Sequence, residues 1–369
     1  AKNDFNLVLL KRSIYYINTM NRTSKIIFIL ILLQVTTTFL WGKTNYQSHV
    51  IHFQFQSDTI EGVVNLPKNK YVLGEKIPLV IFVHGDGELE RDAYGYYKPI
   101  WNELAKKGIA SMSWDKKGIG KSTGKWLNQS MEDRAKEVIA AIESIRADPC
   151  FDFSSIGLIG FSQAGWVMPK VATLSNYPDF IISVSGAINW KRQSNYLTRT
   201  RMKLEGANEE TIEAAVRQNE IDFTTFNATR NYPQYIAYQK EQCENEGKED
   251  CDVMSEDRFN FVKKNISSDV EQDLKNIRCP IFGVFGAEDL NVDYAESRHT
   301  YERILSRSNT DNYQLKVYPE ATHGLLKSNH FNAMYPGISF LVKLKLLGRR
   351  AFVQDVLSDI SAFVIQHAK

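Results

Sequence analysis

The stretch Ile77-Pro-Leu-Val-Ile-Phe-Val83 constrains the fold most, being almost continuously apolar and rich in β-branched residues. A strand of that kind has no face to turn to water, which places it inside a sheet covered on both sides. The elements around it alternate. His52 to Gln56 alternates apolar and polar residues, turns at Ser57-Asp58-Thr59 and returns through Ile60 to Leu66, the pattern of an edge hairpin. After the buried strand the spacing predicts a helix over 99–107, a strand over 109–114 and a helix over 131–147. Ser130 and Asp133 make a capping-box pattern at the start of that last helix. A strand over 156–160, a helix to about Ser175 and a strand over 180–185 follow. Strands alternating with helices predict an α/β fold with a mostly parallel, doubly wound sheet.

At about Ala187 the alternation stops. Residues 190–276 are rich in charged and amide side chains, with helical stretches such as Glu209 to Glu220 and no good buried strand. They read as an inserted helical cap. The sheet resumes with Ile281 to Phe285, a helix from Tyr294 to about Leu305 and a strand from Gln314 to Tyr318. Two apolar-faced helices, Phe340 to Leu347 and Phe352 to Ile365, close the chain. The core is therefore expected to comprise 43–189 and 277–369, with 190–276 as the cap and 1–42 as a leader.

The leader carries a basic stretch, Met20 to Lys25, followed by the apolar run Ile26 to Leu33, which Gln34 and Thr36 to Thr38 interrupt. The run is short for a membrane span and suits a secretory signal over about 20–42, cut after Thr38 or after Gly42. An uncleaved N-terminal anchor is the alternative. Residues 1–19 lack the signal pattern, and Met20 is a candidate first residue. Of the chain's 45 basic and 43 acidic residues, five and one lie in 1–42, so the remainder carries about −2. That balance gives no reason to expect a nucleic-acid partner. The expected location is exported, periplasmic or secreted, with no stable membrane partner unless the leader is retained. Export permits disulfides, and Cys243 and Cys251, eight apart in a polar stretch, can form a local bridge. Cys150 and Cys279 each precede a strand and can equally be buried free thiols. No C-x-x-C or paired His/Cys spacing points to a metal, and no cofactor is expected.

The chemistry centres on Gly160-Phe161-Ser162-Gln163-Ala164-Gly165. Strand, G-x-S-x-G, helix is the context in which a sharp turn pushes a serine hydroxyl clear of a sheet. Acyl transfer by serine also needs a base for the hydroxyl proton, an acid to hold the base and donors for the oxyanion. The loop after strand 281–285 holds Asp289, and the loop after 314–318 holds His323, giving the order serine, acid, histidine. Glu288 and Asp293 are alternative acids, and His330 an alternative base. Ser162 between glycines can also be an ordinary turn, and His323 a surface loop residue. The oxyanion donors are expected to be the backbone N–H of Gln163 and one from the loop after 77–83, at Asp86 or Gly87. Trp166, Tyr97 and Trp126 flank these loops in sequence and are candidates to line an acyl pocket, with plain packing as the alternative. Asp115 to Ser122 is not a P-loop, because Asp115 stands where the first glycine is required; it reads as a structural loop beside the site.

Taken together, His84-Gly-Asp-Gly with Glu90-Arg91-Asp92, Trp114-Asp-Lys-Lys-Gly-Ile-Gly-Lys-Ser122, Gly160-Phe-Ser-Gln-Ala-Gly165, Asp289 with Val292, and His323-Gly324 carry a family likeness. From about 48 to 330, the cap excepted, the chain resembles bacterial α/β-hydrolase esterases of the serine-aminopeptidase-like branch, near the dienelactone-hydrolase and prolyl-oligopeptidase folds. The resemblance implies hydrolysis of small carboxylic esters through an acyl-enzyme, with Ser162, Asp289 and His323 as a catalytic triad. An exopeptidase or a thioesterase on the same triad, or an inactive binding protein, are the other readings. Phe161, Ala164 and Asp86 depart from the histidine, glycine and serine usual at those positions.

Overall fold

Side chains of β3 (Ile77–Val83) alternate between two cores, which is why its sequence is apolar throughout. Leu79, Ile81 and Val83 point into one apolar cluster, Val80 and Phe82 into the other. The computed structural model describes residues 44–68, 76–229, 231–245, 247, 251, 253–308 and 312–368. The leader, 1–42, with its expected signal and cleavage sites, lies outside the described residues.

Eight strands form one sheet in the order β1-β2-β4-β3-β5-β6-β7-β8. The strands are β1 (Tyr46–Phe55), β2 (Asp58–Pro67), β3, β4 (Ala110–Trp114), β5 (Phe153–Phe161), β6 (Phe180–Val184), β7 (Ile281–Gly286) and β8 (Tyr313–Tyr318). β1 and β2 form the antiparallel edge hairpin, β2 also runs antiparallel to β4, and every other pairing is parallel. The predicted α/β-hydrolase sheet is present, and the hairpin begins earlier than the alternation alone indicated, at Tyr46.

Between β3 and β6 the helices are α1 (Lys98–Lys106), α2 (Met131–Ala147) and α3 (Met168–Leu174). Between β6 and β7 lie α4 (Trp190–Leu204), α5 (Glu209–Thr229), α6 (Tyr232–Asn245), α7 (Glu256–Asn265) and α8 (Glu271–Asn276). The chain then forms α9 (Tyr294–Leu305), α10 (Ser328–Phe331), α11 (Ile338–Leu347) and α12 (Val356–His367). Helices α2, α3, α8 and α9 cover one face of the sheet, and α1, α11 and α12 the other. The capping box holds the start of α2: Asp133 N–H donates to Ser130 Oγ at 3.0 Å, and Ser130 N–H to Asp133 Oδ2 at 2.9 Å.

Helices α4 to α7 have a small apolar cluster of their own around Phe226, Tyr235 and Phe259. They dock on the core through rings and amides. Trp190 stacks on Trp166 at 5.5 Å, and Phe261 meets Trp126 at 5.4 Å. Asn265 accepts from Met131 N–H at 2.8 Å, completing the start of α2. Cys243 and Cys251 form a disulfide, whereas Cys150 is an exposed free thiol rather than a buried one.

Candidate active site

β5 ends at Phe161, and Ser162 takes φ +54°, a left-handed conformation that a non-glycine residue adopts only under constraint. The chain turns there into a short 3-10 helix, Ser162–Trp166, before α3. The sequence predicts a single helix; the sharp reversal at Ser162 tightens its first turn instead. Gly160 is required by close approach. A Cβ there lies 2.6 Å from both Ala164 Cβ and Met168 Sδ, which pack over the strand end. The Ser162 hydroxyl has no hydrogen bond among the described residues, and its carbonyl accepts from Ala187 N–H at 3.1 Å.

Asp289 and His323 follow β7 and β8, whose loops are tied together. Ala287 N–H donates to Tyr318 O at 3.0 Å and Glu288 N–H to Ala321 O at 2.9 Å. A Cβ on Gly286 meets the Thr322 carbonyl oxygen at 2.3 Å, so only glycine allows the approach. Asp289 is 3% exposed, and its Oδ1 accepts from Asn291 N–H at 2.7 Å and Val292 N–H at 2.9 Å. Its Oδ2 lies 2.8 Å from His323 Nδ1. The carboxylate therefore accepts the hydrogen bond of Nδ1–H and leaves Nε2 as the basic nitrogen. Burial works against charge on His323, but the Asp289 carboxylate outweighs it and raises the imidazole above its ordinary pKa. Of the alternatives, Asp293 caps α9, and His330 lies on α10 beside Phe331.

The loop after β3 is gripped from beneath by two buried cations that the sequence did not single out. Lys116 Nζ donates to the carbonyls of Gly85 at 2.7 Å and Gly87 at 2.8 Å, and Arg134 of α2 donates to that of His84. They are 4% and 7% exposed, and burial pushes the Lys116 amine well below its ordinary pKa, with Arg134 nearby adding to the shift. The trans peptide whose carbonyl faces Lys116 turns the Asp86 N–H the opposite way. That N–H has no acceptor among the described residues, whereas the Gly87 N–H faces the Asp86 carboxylate.

Gln163 joins the same network through its side chain: Oε1 accepts from Arg134 at 2.5 Å, and Nε2 donates to Asp86 Oδ1 at 3.1 Å. The Asp86 carboxylate, 44% exposed, also lies 3.3 Å from Arg258 of α7. Although burial opposes its charge, Arg258 and Lys116 lower its pKa overall. From the other side, Tyr196 of α4 donates to the Asp289 carbonyl at 2.5 Å. Arg91 holds the loops together, donating to Asp115 at 2.6 Å and to Glu61 at 2.5 Å. His84 is structural. Its Nε2 donates to Trp114 O at 2.6 Å, Nδ1 accepts from the Tyr97 hydroxyl at 3.1 Å, and burial pushes its pKa down to about 3.

The three aromatic residues expected at an acyl pocket are buried instead. Tyr97, Trp166 and Trp126 are 2%, 5% and 9% exposed. Tyr97 is packed between His84 and Phe161, Trp166 donates to Ile188 O at 2.8 Å, and Lys116 covers the Trp126 ring at 4.8 Å. Their place next to the loops in sequence directs them inward because the rings fill the space under the loops. Phe161 does the same, stacking on Tyr97 at 5.2 Å. Tyr96 bridges the two halves of the site. Its ring meets Phe161 edge-on at 5.4 Å, and its hydroxyl donates to Gly324 O at 2.7 Å.

This arrangement agrees with what the chain resembles. The sequence profile of the family described as Serine aminopeptidase, S33 matches residues 74–329. No curated protein matches the chain. Among solved structures, the esterase Pf2001 of Pyrococcus furiosus is similar with a TM-score of 0.55 and 16% identity, over 88% of this chain and 92% of that one. Est1E from Butyrivibrio proteoclasticus, bound to ferulic acid, has a TM-score of 0.51 and 17% identity, over 86% and 98%. The proline iminopeptidase of Mycobacterium smegmatis has 0.53 and 14%, over 87% and 99%. At these identities the structures speak for the fold, and the family profile spans most of the chain. The chain belongs to the serine aminopeptidase S33 family of the α/β-hydrolase superfamily and is a hydrolase of the serine type.

Proposed function

We propose that this hydrolase cleaves small carboxylic esters through an acyl-enzyme on Ser162. His323 Nε2 takes the hydroxyl proton as Oγ attacks the ester carbonyl carbon, and Asp289 orients the ring and stabilises the imidazolium. The backbone N–H groups of Gln163 and Asp86 hold the oxyanion. The proton then passes to the departing alkoxide, and water, deprotonated by His323, releases the acid and free serine. The observation that carries this reading is the strained Ser162 turn at the end of β5 together with the hydrogen-bonded pair of buried Asp289 and half-buried His323 after β7 and β8.

Ester rather than amine-terminal peptide is favoured by the pairing of acidic side chains on α5 and in the 84–87 loop. An exopeptidase needs a free carboxylate for the substrate amine. Glu213 is taken by Arg199 at 2.5 Å, Glu209 lies 3.7 Å from the same guanidinium, and Asp86 faces Arg258. Turnover of p-nitrophenyl acetate against aminoacyl anilides is the test. Faster cleavage of the anilides, at equal concentration, overturns the ester reading.

Export of the mature protein belongs to the same proposal, supported by the basic-then-apolar order of residues 20–33 and by the Cys243–Cys251 disulfide. N-terminal sequencing of protein recovered outside the cytoplasm is expected to begin after Thr38 or Gly42. Recovery of the uncut chain from the cytoplasm alone contradicts it.

A further inference from the structure

Helix α11 has two apolar stripes, and the core uses one. Leu344, 4% exposed, packs inward with Phe340 and Leu347, and the Phe340 ring meets Phe331 edge-on at 5.0 Å. Ile338, Val342 and Leu346, spaced four apart, lie along the other side and are 58%, 51% and 49% exposed. Leu341 at 37% and Tyr335 at 75% widen the patch. Nothing among the described residues covers it, and a contiguous apolar surface of this kind marks an interaction site.

The segment that carries the patch has charge of a single sign. Between Glu320 and Asp355 the chain has five basic residues, Lys327, Lys343, Lys345, Arg349 and Arg350, and no acidic one. Arg349 is paired with Glu103 at 3.1 Å. Lys343, Lys345 and Arg350 are exposed and have no ion pair among the described residues. Lys345, four residues after Leu341 and three after Val342, shares the face of the patch, where its stem can lie along the apolar surface and carry the charge out past it.

We propose that α11 docks this protein on an anionic phospholipid surface, with Ile338, Leu341, Val342 and Leu346 entering the interface and Lys343, Lys345 and Arg350 meeting the headgroups. Ten residues make a helix about 15 Å long, half the hydrocarbon thickness of a bilayer, so α11 lies in the interface and does not cross. Binding of this type gains from buried apolar area and from attraction to anionic lipid together. A second copy of the chain is the competing occupant. Packed symmetrically, two copies set Lys343 and Lys345 against the same lysines of the other with no acidic residue between, whereas an anionic bilayer supplies the missing charge. The proposal uses no residue of the Ser162 site and stands whether or not esters are the substrate.

Amide hydrogen exchange of the full chain, followed over 335–350, tests it with vesicles of phosphatidylcholine alone and of equal parts phosphatidylcholine and phosphatidylglycerol. Exchange over 338–347 is expected to slow at least ~5-fold with the anionic vesicles and to be unchanged with the neutral ones. In the double variant Val342→Glu, Leu346→Glu the slowing disappears while circular dichroism shows the wild-type fold. Unchanged exchange with anionic vesicles overturns the proposal, as does equal slowing with neutral ones. Protection without lipid that grows with protein concentration assigns the face to a second copy. Protection without lipid that is independent of concentration assigns it to another part of the same chain. Either result also overturns the proposal.

Discussion

Lys116 Nζ donates to the Gly85 carbonyl oxygen at 2.7 Å and so fixes the peptide whose N–H, that of Asp86, points away from it. The lysine touches no substrate in this account; it positions a donor. Lys116→Met keeps the length and apolar stem and removes the grip. The expected result is a fall in kcat of about 10- to 100-fold, less than the loss of an oxyanion donor itself, with KM nearly unchanged. A rise in KM at constant kcat assigns Lys116 to substrate binding instead.

Arg258 neutralises Asp86 from α7, a contact between two partly exposed side chains. Such a pair contributes little to stability, about 0–1 kcal/mol. Its effect is expected in specificity. Arg258→Ala frees a carboxylate beside the Ser162 loop, and the ratio of aminoacyl-anilide to ester turnover should rise about 3- to 10-fold with little change in Tm. An unchanged ratio separates this ion pair from substrate choice.

The pH dependence follows from the sign of the His323 shift. Its pKa in the folded protein is raised above the ordinary value of about 6.5, so the neutral base forms only as pH climbs past that value. Plots of kcat/KM for an ester should therefore rise through one ionisation with a midpoint above 6.5. The same shift stabilises the fold most at pH below the unfolded pKa, and the contribution fades as pH rises through the folded one. Asp289→Asn removes the raising charge, so the midpoint should drop and kcat fall by up to about 10,000-fold. A midpoint unmoved by that substitution contradicts the pairing.

How much of this was legible from the chain depended on whether the cause was local. The run 77–83 betrayed a strand buried on both faces because each residue carries its own need for burial. Ser162, Asp289 and His323 were readable because each follows a strand directly, and strand ends are set by sequence order. Lys116 and Arg134 were not. Lys116 sits in a stretch that reads as a structural loop beside the site, and only the sheet order, which puts β4 beside β3, brings it under the 84–87 loop, where Arg134 arrives from α2. Tyr97, Trp126 and Trp166 are the opposite case, near the loops in sequence and buried in the fold. Nearness in sequence to the site says nothing about which way a ring turns, and these rings fill the floor.

Gly286 separates the acid loop from the histidine loop by nothing but the absence of a side chain. Gly286→Ala drives a Cβ into the Thr322 and Ala321 carbonyls and must push the loops apart. Activity should fall at least ~100-fold, since a displacement near 1 Å at the reacting groups has that effect. Circular dichroism and thermal unfolding of the purified variant are expected to show a folded protein of lowered Tm. Full activity shows that the Asp289–His323 geometry does not depend on this approach.

Ser162 as the nucleophile is open to a fluorophosphonate probe, which reacts covalently with an activated serine. The wild-type chain is expected to be labelled at one site, mapped by mass spectrometry to the peptide containing Ser162, with hydrolysis lost in step. Ser162→Ala is expected to abolish both labelling and hydrolysis while leaving the fold intact. Labelling or ester hydrolysis that survives the substitution contradicts the account.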